Sequence, residues 1–179
     1  MLGIVFTSLI DMLETEASPD FANEVMSQAR LSGVRDYAVA KNYPYEHMQR
    51  MVEVLVERTG KSANALLHEI GRYLFARLAD DYRELLTEQE GLLNLLTWVD
   101  SELDDRVKKV NPDATIPRFT VLSRTDTAMR LHYYSTRDLH ALAEGVMDAA
   151  AEFYDCHLER EIHQTETPHT YEFSLSVLR

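Results

Sequence analysis

Residues 117–135 read PRFTVLSRTDTAMRLHYYS, and the spacing of apolar side chains in this stretch decides the fold class. Apolar and polar residues alternate in two short runs, one on each side of the polar turn RTDT at 124–127. A period of two marks half-buried strands, and a short polar turn between two such runs marks a hairpin. Downstream, DLHALAEGVMDAAAEFYDC (138–156) is an alanine-rich helix, and HLEREIHQTETPHTYEFSLSVL (157–178) is a second hairpin that turns near Thr167 and Pro168.

Upstream the period is helical. Leu2, Val5, Phe6, Leu9, Met12 and Leu13 recur at helical spacing. Ser18 before Pro19 is an N-cap signal for a helix to about residue 30, after which Gly33 interrupts and 34–39 connects. Pro44 opens a third helix with Met48, Met51, Val52, Leu55 and Val56 inside, stopping near Gly60. Ser62 caps a fourth, with the stripe Leu66, Leu67, Ile70, Leu74, Phe75 and Leu78. A further helix is expected over about 87–110, ended by Pro112. Helices followed by hairpins indicate an α+β fold: an N-terminal helical part, then a small antiparallel sheet with a packed helix. The chain reads as a single domain over 1–179, mainly helical to 110 and hairpin–helix–hairpin from 111.

Composition narrows the partners. Of 179 residues 45% are hydrophobic, enough for a sizeable core, and 30 acidic side chains against 18 basic ones leave a net charge of −12. That balance argues against nucleic acid and against anionic membrane surfaces, both of which draw on clustered Lys and Arg. The single Cys156 excludes an internal disulfide and suits a reducing, cytoplasmic setting. Asp11, Glu14 and Glu16 break the apolar start MLGIVFTSLIDMLETEA before any spanning length, and it has no basic leader.

Within LHYYSTR (131–137), Tyr133, Ser135 and Arg137 share a face if the strand persists to Arg137, with Met129 and Leu131 continuing that face. A guanidinium grips a carboxylate or phosphate bidentately, and two hydroxyls can donate to the remaining lone pairs. The trio therefore suits an anionic ligand lying on the sheet, or, as a plainly structural arrangement, a protein carboxylate. His132 alternates away from it. Glu102, Asp104 and Asp105 read as a solvated face rather than an acid–base pair, because adjacent helical residues do not face each other. His68 reads as a hydrogen-bonded structural residue, and Met48 and Met51 as core filler. The chain has no Gly-rich phosphate loop, no GxSxG elbow and no Cys/His nucleophile pattern, so no enzyme is expected.

The order of elements, with MLGIVF at the start, EIGRYLF at 69–75, PDATIPRF at 112–119, Tyr133-Ser135-Arg137 as a YxSxR motif and LAEGVMDAAAEF at 142–153, resembles the H-NOX (heme-nitric-oxide/oxygen-binding) family over essentially the whole chain. The resemblance implies heme as cofactor, its propionates clamped by Tyr133, Ser135 and Arg137, and Pro117 against its face. It also implies a gas sensor acting in trans on a histidine kinase, a cyclic-di-GMP enzyme or a chemotaxis protein. In the family an axial His precedes this proline segment; here the stretch is TWVDSELDDRVKKVNP, Asp104 stands in its place, and no His occurs between His68 and His132. Switching by cleavage of an iron–His bond is then absent. Three expectations follow: heme held by clamp and apolar contacts or by Asp104, another apolar acid in the same pocket, or a heme-free module that keeps the fold for docking. Some relatives carry a Cys/His zinc site in the terminal hairpin; with Cys156 alone and His157, His163 and His169 spread along it, none is expected here.

Overall fold

The computed structural model describes residues 1–31 and 37–178, so positions 32–36, with Gly33 and the start of the first connection, lie outside the described residues. Four helices come first: α1 (Gly3–Glu16), α2 (Pro19–Gln28), α3 (Tyr45–Thr59) and α4 (Ala63–Asp81). The caps are those the sequence announces. Ser18 Oγ accepts from Phe21 N and Ser62 Oγ from Ala65 N, while Gly60 ends α3 at φ 72.

The helix expected over 87–110 is instead broken into α5 (Arg83–Glu88), α6 (Leu92–Trp98), a π-turn (Val99–Leu103) and α7 (Asp104–Val110). Glu90 at φ 58 and Gly91 at φ 156 interrupt the first part, because a right-handed helix does not admit those angles. The π-turn bonds i to i+5 and takes up one residue more than an α-turn. Nothing in the apolar periodicity marks it.

Strands β1 (Arg118–Arg124), β2 (Ala128–Tyr134), β3 (His157–Gln164) and β4 (Thr170–Leu178) form one antiparallel sheet in the order β1-β2-β4-β3, and α8 (His140–Phe153) connects the two hairpins. Leu131 sits opposite Val121 on one side and Phe173 on the other, so the alternating apolar residues meet in rows on the inner face. A bulge between Val121 and Ser123 leaves Leu122 exposed.

The buried apolar residues fall into two clusters. One is built from α1–α3 and the first half of α4, with Leu139, Ala141 and Leu142. The other joins the rest of α4 and α5–α6 to the inner face of the sheet and to Ala143, Met147, Ala150 and Ala151 of α8. Helices α4 and α8 cross between them backbone to backbone: a β-carbon on Gly71 would strike the Leu142 carbonyl, and one on Gly145 the His68 carbonyl.

A polar cluster sits beside this crossing. His68 Nε2 lies 2.7 Å from Asp148 Oδ2, Arg160 of β3 grips Asp148 through both Nη atoms, and Arg160 Nε donates to Glu144 at 3.1 Å. Burial alone would raise the Asp148 pKa, but bonds from Arg160 and His68 outweigh it and hold it below the ordinary 3.8. A depressed carboxyl stabilises the fold fully above its unfolded value and loses that contribution as pH falls through the folded one. Thermal stability should therefore drop as pH falls below about 3.8, and the drop should be shallower in Asp148→Asn. A pH series of melting curves on the two proteins checks this.

Candidate functional site

Strand β2 ends at Tyr134, and Asp138 N donates to Ser135 O at 3.1 Å to close a turn over 135–138. The three motif residues therefore do not share a strand face as expected. Tyr133 is on the inner face, Ser135 lies one step beyond, its N donating to His169 O at 3.1 Å, and Arg137 is in the turn. The turn ties the Arg137 backbone to Ser135, because Arg137 N donates to Ser135 Oγ at 3.3 Å.

The surroundings of Arg137 come from remote segments. Its Nη1 donates to Thr115 O at 3.2 Å, its guanidinium lies 5.9 Å over the Tyr45 ring, and Tyr45 Oη donates to Arg137 O at 3.3 Å. Asp138, at φ 52, accepts from Tyr171 Oη at 2.6 Å. That bond, with burial, pushes the Tyr171 phenol up to about 12. His140 stacks on Tyr171 at 4.3 Å, and its buried Nδ1 has no hydrogen-bond partner among the described residues, lying 3.7 Å from Asp138 Oδ1.

Tyr133 is the most telling of the group. It is 1% exposed, held edge-on by Phe119 at 5.2 Å and Phe173 at 6.0 Å, and directly opposite Tyr171. Its hydroxyl is buried with no hydrogen-bond partner among the described residues. Burial dominates its environment and raises its pKa. The nearby Ser135 hydroxyl partly opposes that rise, although the two do not meet in hydrogen-bond geometry. Leaving such a hydroxyl unpaired costs about 1–3 kcal/mol, a cost an arriving acceptor relieves.

The other predicted positions divide. Pro117 is half-buried just before β1, two residues from Thr115. Asp104 is placed elsewhere: its carboxylate, 48% exposed, pairs with Lys108 one helical turn on at 2.5 Å, and no hydrogen bond or ion pair among the described residues joins it to Tyr133, Ser135 or Arg137. A π-turn over Val99–Leu103 immediately precedes it. Asp100, inside that turn, instead accepts from Val121 N of β1 at 3.1 Å. His68 is a structural partner of Asp148, and His132 lies on the outer sheet face 3.4 Å from Glu172. His157 and His163 are 71% and 70% exposed, and among the described residues no three His, Cys, Asp or Glu side chains converge as a metal site.

Tyr45, Thr115, Asp138, His140 and Tyr171 were not anticipated. Asp138 and His140 flank the motif and could have been suspected from that proximity. Tyr45 and Tyr171 arrive through tertiary folding and carry no local signal.

Comparison with known proteins bears on the family and the fold. The family model described as Haem-NO-binding matches residues 2–162. The chain belongs to the haem-NO-binding, or H-NOX, family. The Fe(II) unliganded H-NOX protein from K. algicida has the same fold at a TM-score of 0.89 and 23% identity, covering 100% of this chain and 97% of that one. An H-NOX protein from S. oneidensis in the Fe(II)NO state aligns at 0.91 with 19% identity over 100% of both chains. An oxygen-binding H-NOX domain related to soluble guanylate cyclases, in its oxygen complex, aligns at 0.82 with 19% identity, covering 99% of this chain and 94% of that one. No curated protein matches the chain. Among the described residues, no helix of this H-NOX domain is long and apolar enough to cross a membrane.

Heme can be tested against the residues present. Its acid end fits: the unpartnered Tyr133 hydroxyl and the Arg137 guanidinium are the donor types a propionate needs. Its iron end does not. The helical segment 99–110 holds no His, Cys, Met or Tyr, and Asp104, a hard oxygen donor that suits ferrous heme poorly, pairs with Lys108.

Proposed function

We propose that this H-NOX domain is a ligand-responsive regulatory module that holds an apolar acid, heme or another, by its carboxylate through Tyr133, Ser135 and Arg137, without an iron bond from α7. The observation that carries this reading is the buried, unpartnered Tyr133 hydroxyl, at the end of the strand that leads into the turn carrying Arg137. Two separate cores meeting at the α4–α8 crossing give the domain halves that an occupant could hold in one relative position. By family analogy the output passes by contact to a signalling protein such as a histidine kinase, a cyclic-di-GMP enzyme or a chemotaxis protein.

A second reading, a heme-free docking module, is favoured by one feature. Arg137 already donates to Thr115 O and covers Tyr45, which gives it a structural role with no ligand.

Tyr133→Phe separates the two. The ligand reading expects unchanged or slightly higher stability for the free protein, by up to about 1 kcal/mol, because an unpaired buried hydroxyl is removed. It also expects about tenfold weaker binding of iron-free protoporphyrin IX. Thermal melts and a fluorescence titration measure both. Undiminished porphyrin binding in this variant would remove Tyr133 from the clamp, and no saturable porphyrin binding by the parent protein would leave the docking reading standing.

A further inference from the structure

A cavity lies away from the clamp. It has a volume of about 440 Å³ and opens where the end of α1, the start of α2, the end of α3 and the first turns of α4 meet. Helix α1 separates it from residues 42–45, which lead to Tyr45 under Arg137: 14 residues at about 1.5 Å each give roughly 20 Å. The site proposed above does not use it.

Its chemistry is two-layered. The floor is apolar and fully inside the protein: Met12, Leu13, Leu55 and Leu66 are at most 4% exposed. The mouth is charged but internally balanced. Lys61 Nζ pairs with Glu69 at 2.6 Å, Arg72 pairs with Glu152 at 2.7 Å, and Glu16 accepts from Tyr73 Oη at 2.6 Å.

Each feature limits the occupant. The volume falls toward the lower end of small-molecule sites. An apolar floor favours an apolar body, about 25 cal/mol for each Å² removed from water. A charged ligand would have to displace an ion pair already made at the mouth, whereas a neutral polar head can accept or donate beside those pairs without breaking them. We propose that this cavity binds a small neutral amphiphile, a compact aromatic or aliphatic body with an uncharged polar head, as a second ligand site independent of the acid clamp.

The test uses N-phenyl-1-naphthylamine, a neutral apolar dye that brightens on leaving water, titrated into the full chain. Saturable one-to-one binding is expected. It should be lost, by at least about tenfold in affinity, in Ala17→Trp and in Thr59→Trp, two exposed mouth positions where an indole would fill the opening. It should persist in Arg137→Ala. Melting curves of both tryptophan variants establish that they fold. Absence of saturable binding overturns the proposal, and so does binding that survives both tryptophan variants. Loss in Arg137→Ala with survival in Ala17→Trp would also overturn it, by assigning the dye to the clamp.

Discussion

Replacing Gly145 with alanine is expected to destabilise the protein by about 3 kcal/mol or more, the upper range for overpacking a core. At this point α8 lies against the carbonyl of His68, and an added β-carbon would overlap that oxygen. The obstacle is backbone on a 19-residue helix, so no rotamer change relieves it. Separating the helices would also pull Asp148 away from His68 while Arg160 still holds it from β3. Chemical denaturation of Gly145→Ala against the parent measures the loss. Gly71→Ala, which meets the Leu142 carbonyl from the other helix, should behave similarly, and the double variant should fall short of the sum because the two contacts share one interface. Full additivity would mean that the crossing is not a single packing unit.

Arg137→Ala is the second large effect, and it falls on binding. A charge-assisted hydrogen bond to a carboxylate contributes about 1.5–3 kcal/mol, so affinity for iron-free protoporphyrin IX should fall by roughly 10- to 150-fold. The folded protein loses much less. The side chain is only partly buried, and in the structure it donates to the single carbonyl of Thr115, so a stability change within about 1 kcal/mol is expected. Arg137→Lys should recover only part of the binding, because an ammonium lacks the planar fork. Parallel titrations and melts of the three proteins distinguish this from a structural role, in which stability would fall and binding would follow it.

Much of the fold was legible in the residues because its signals are local. The caps at Ser18 and Ser62, the stop at Gly60 and the alternating runs around 124–127 each act within a few residues, and the structure keeps all of them. The π-turn was not legible. Its i to i+5 bonds depend on what the helix packs against, and here Asp100 is drawn to Val121 N of β1, 21 residues away in the chain. Similarly, Tyr133-Ser135-Arg137 could be picked out as a donor set from composition and alternation, but the turn that carries Arg137 off the strand could not. That turn depends on Asp138 at φ 52, which is held by Tyr171 from the last strand.

The claim that matters most is that the clamp, not an iron bond, would hold the ligand. It is tested most directly by titrating the protein with hemin and, separately, with iron-free protoporphyrin IX. The account predicts saturable one-to-one binding of both, with dissociation constants within about threefold of each other and no sharp axial-ligand spectrum for the hemin complex. Hemin binding more than about 100-fold tighter than the iron-free ring, with a sharp Soret band, would contradict it by showing that a side chain of this domain reaches the iron.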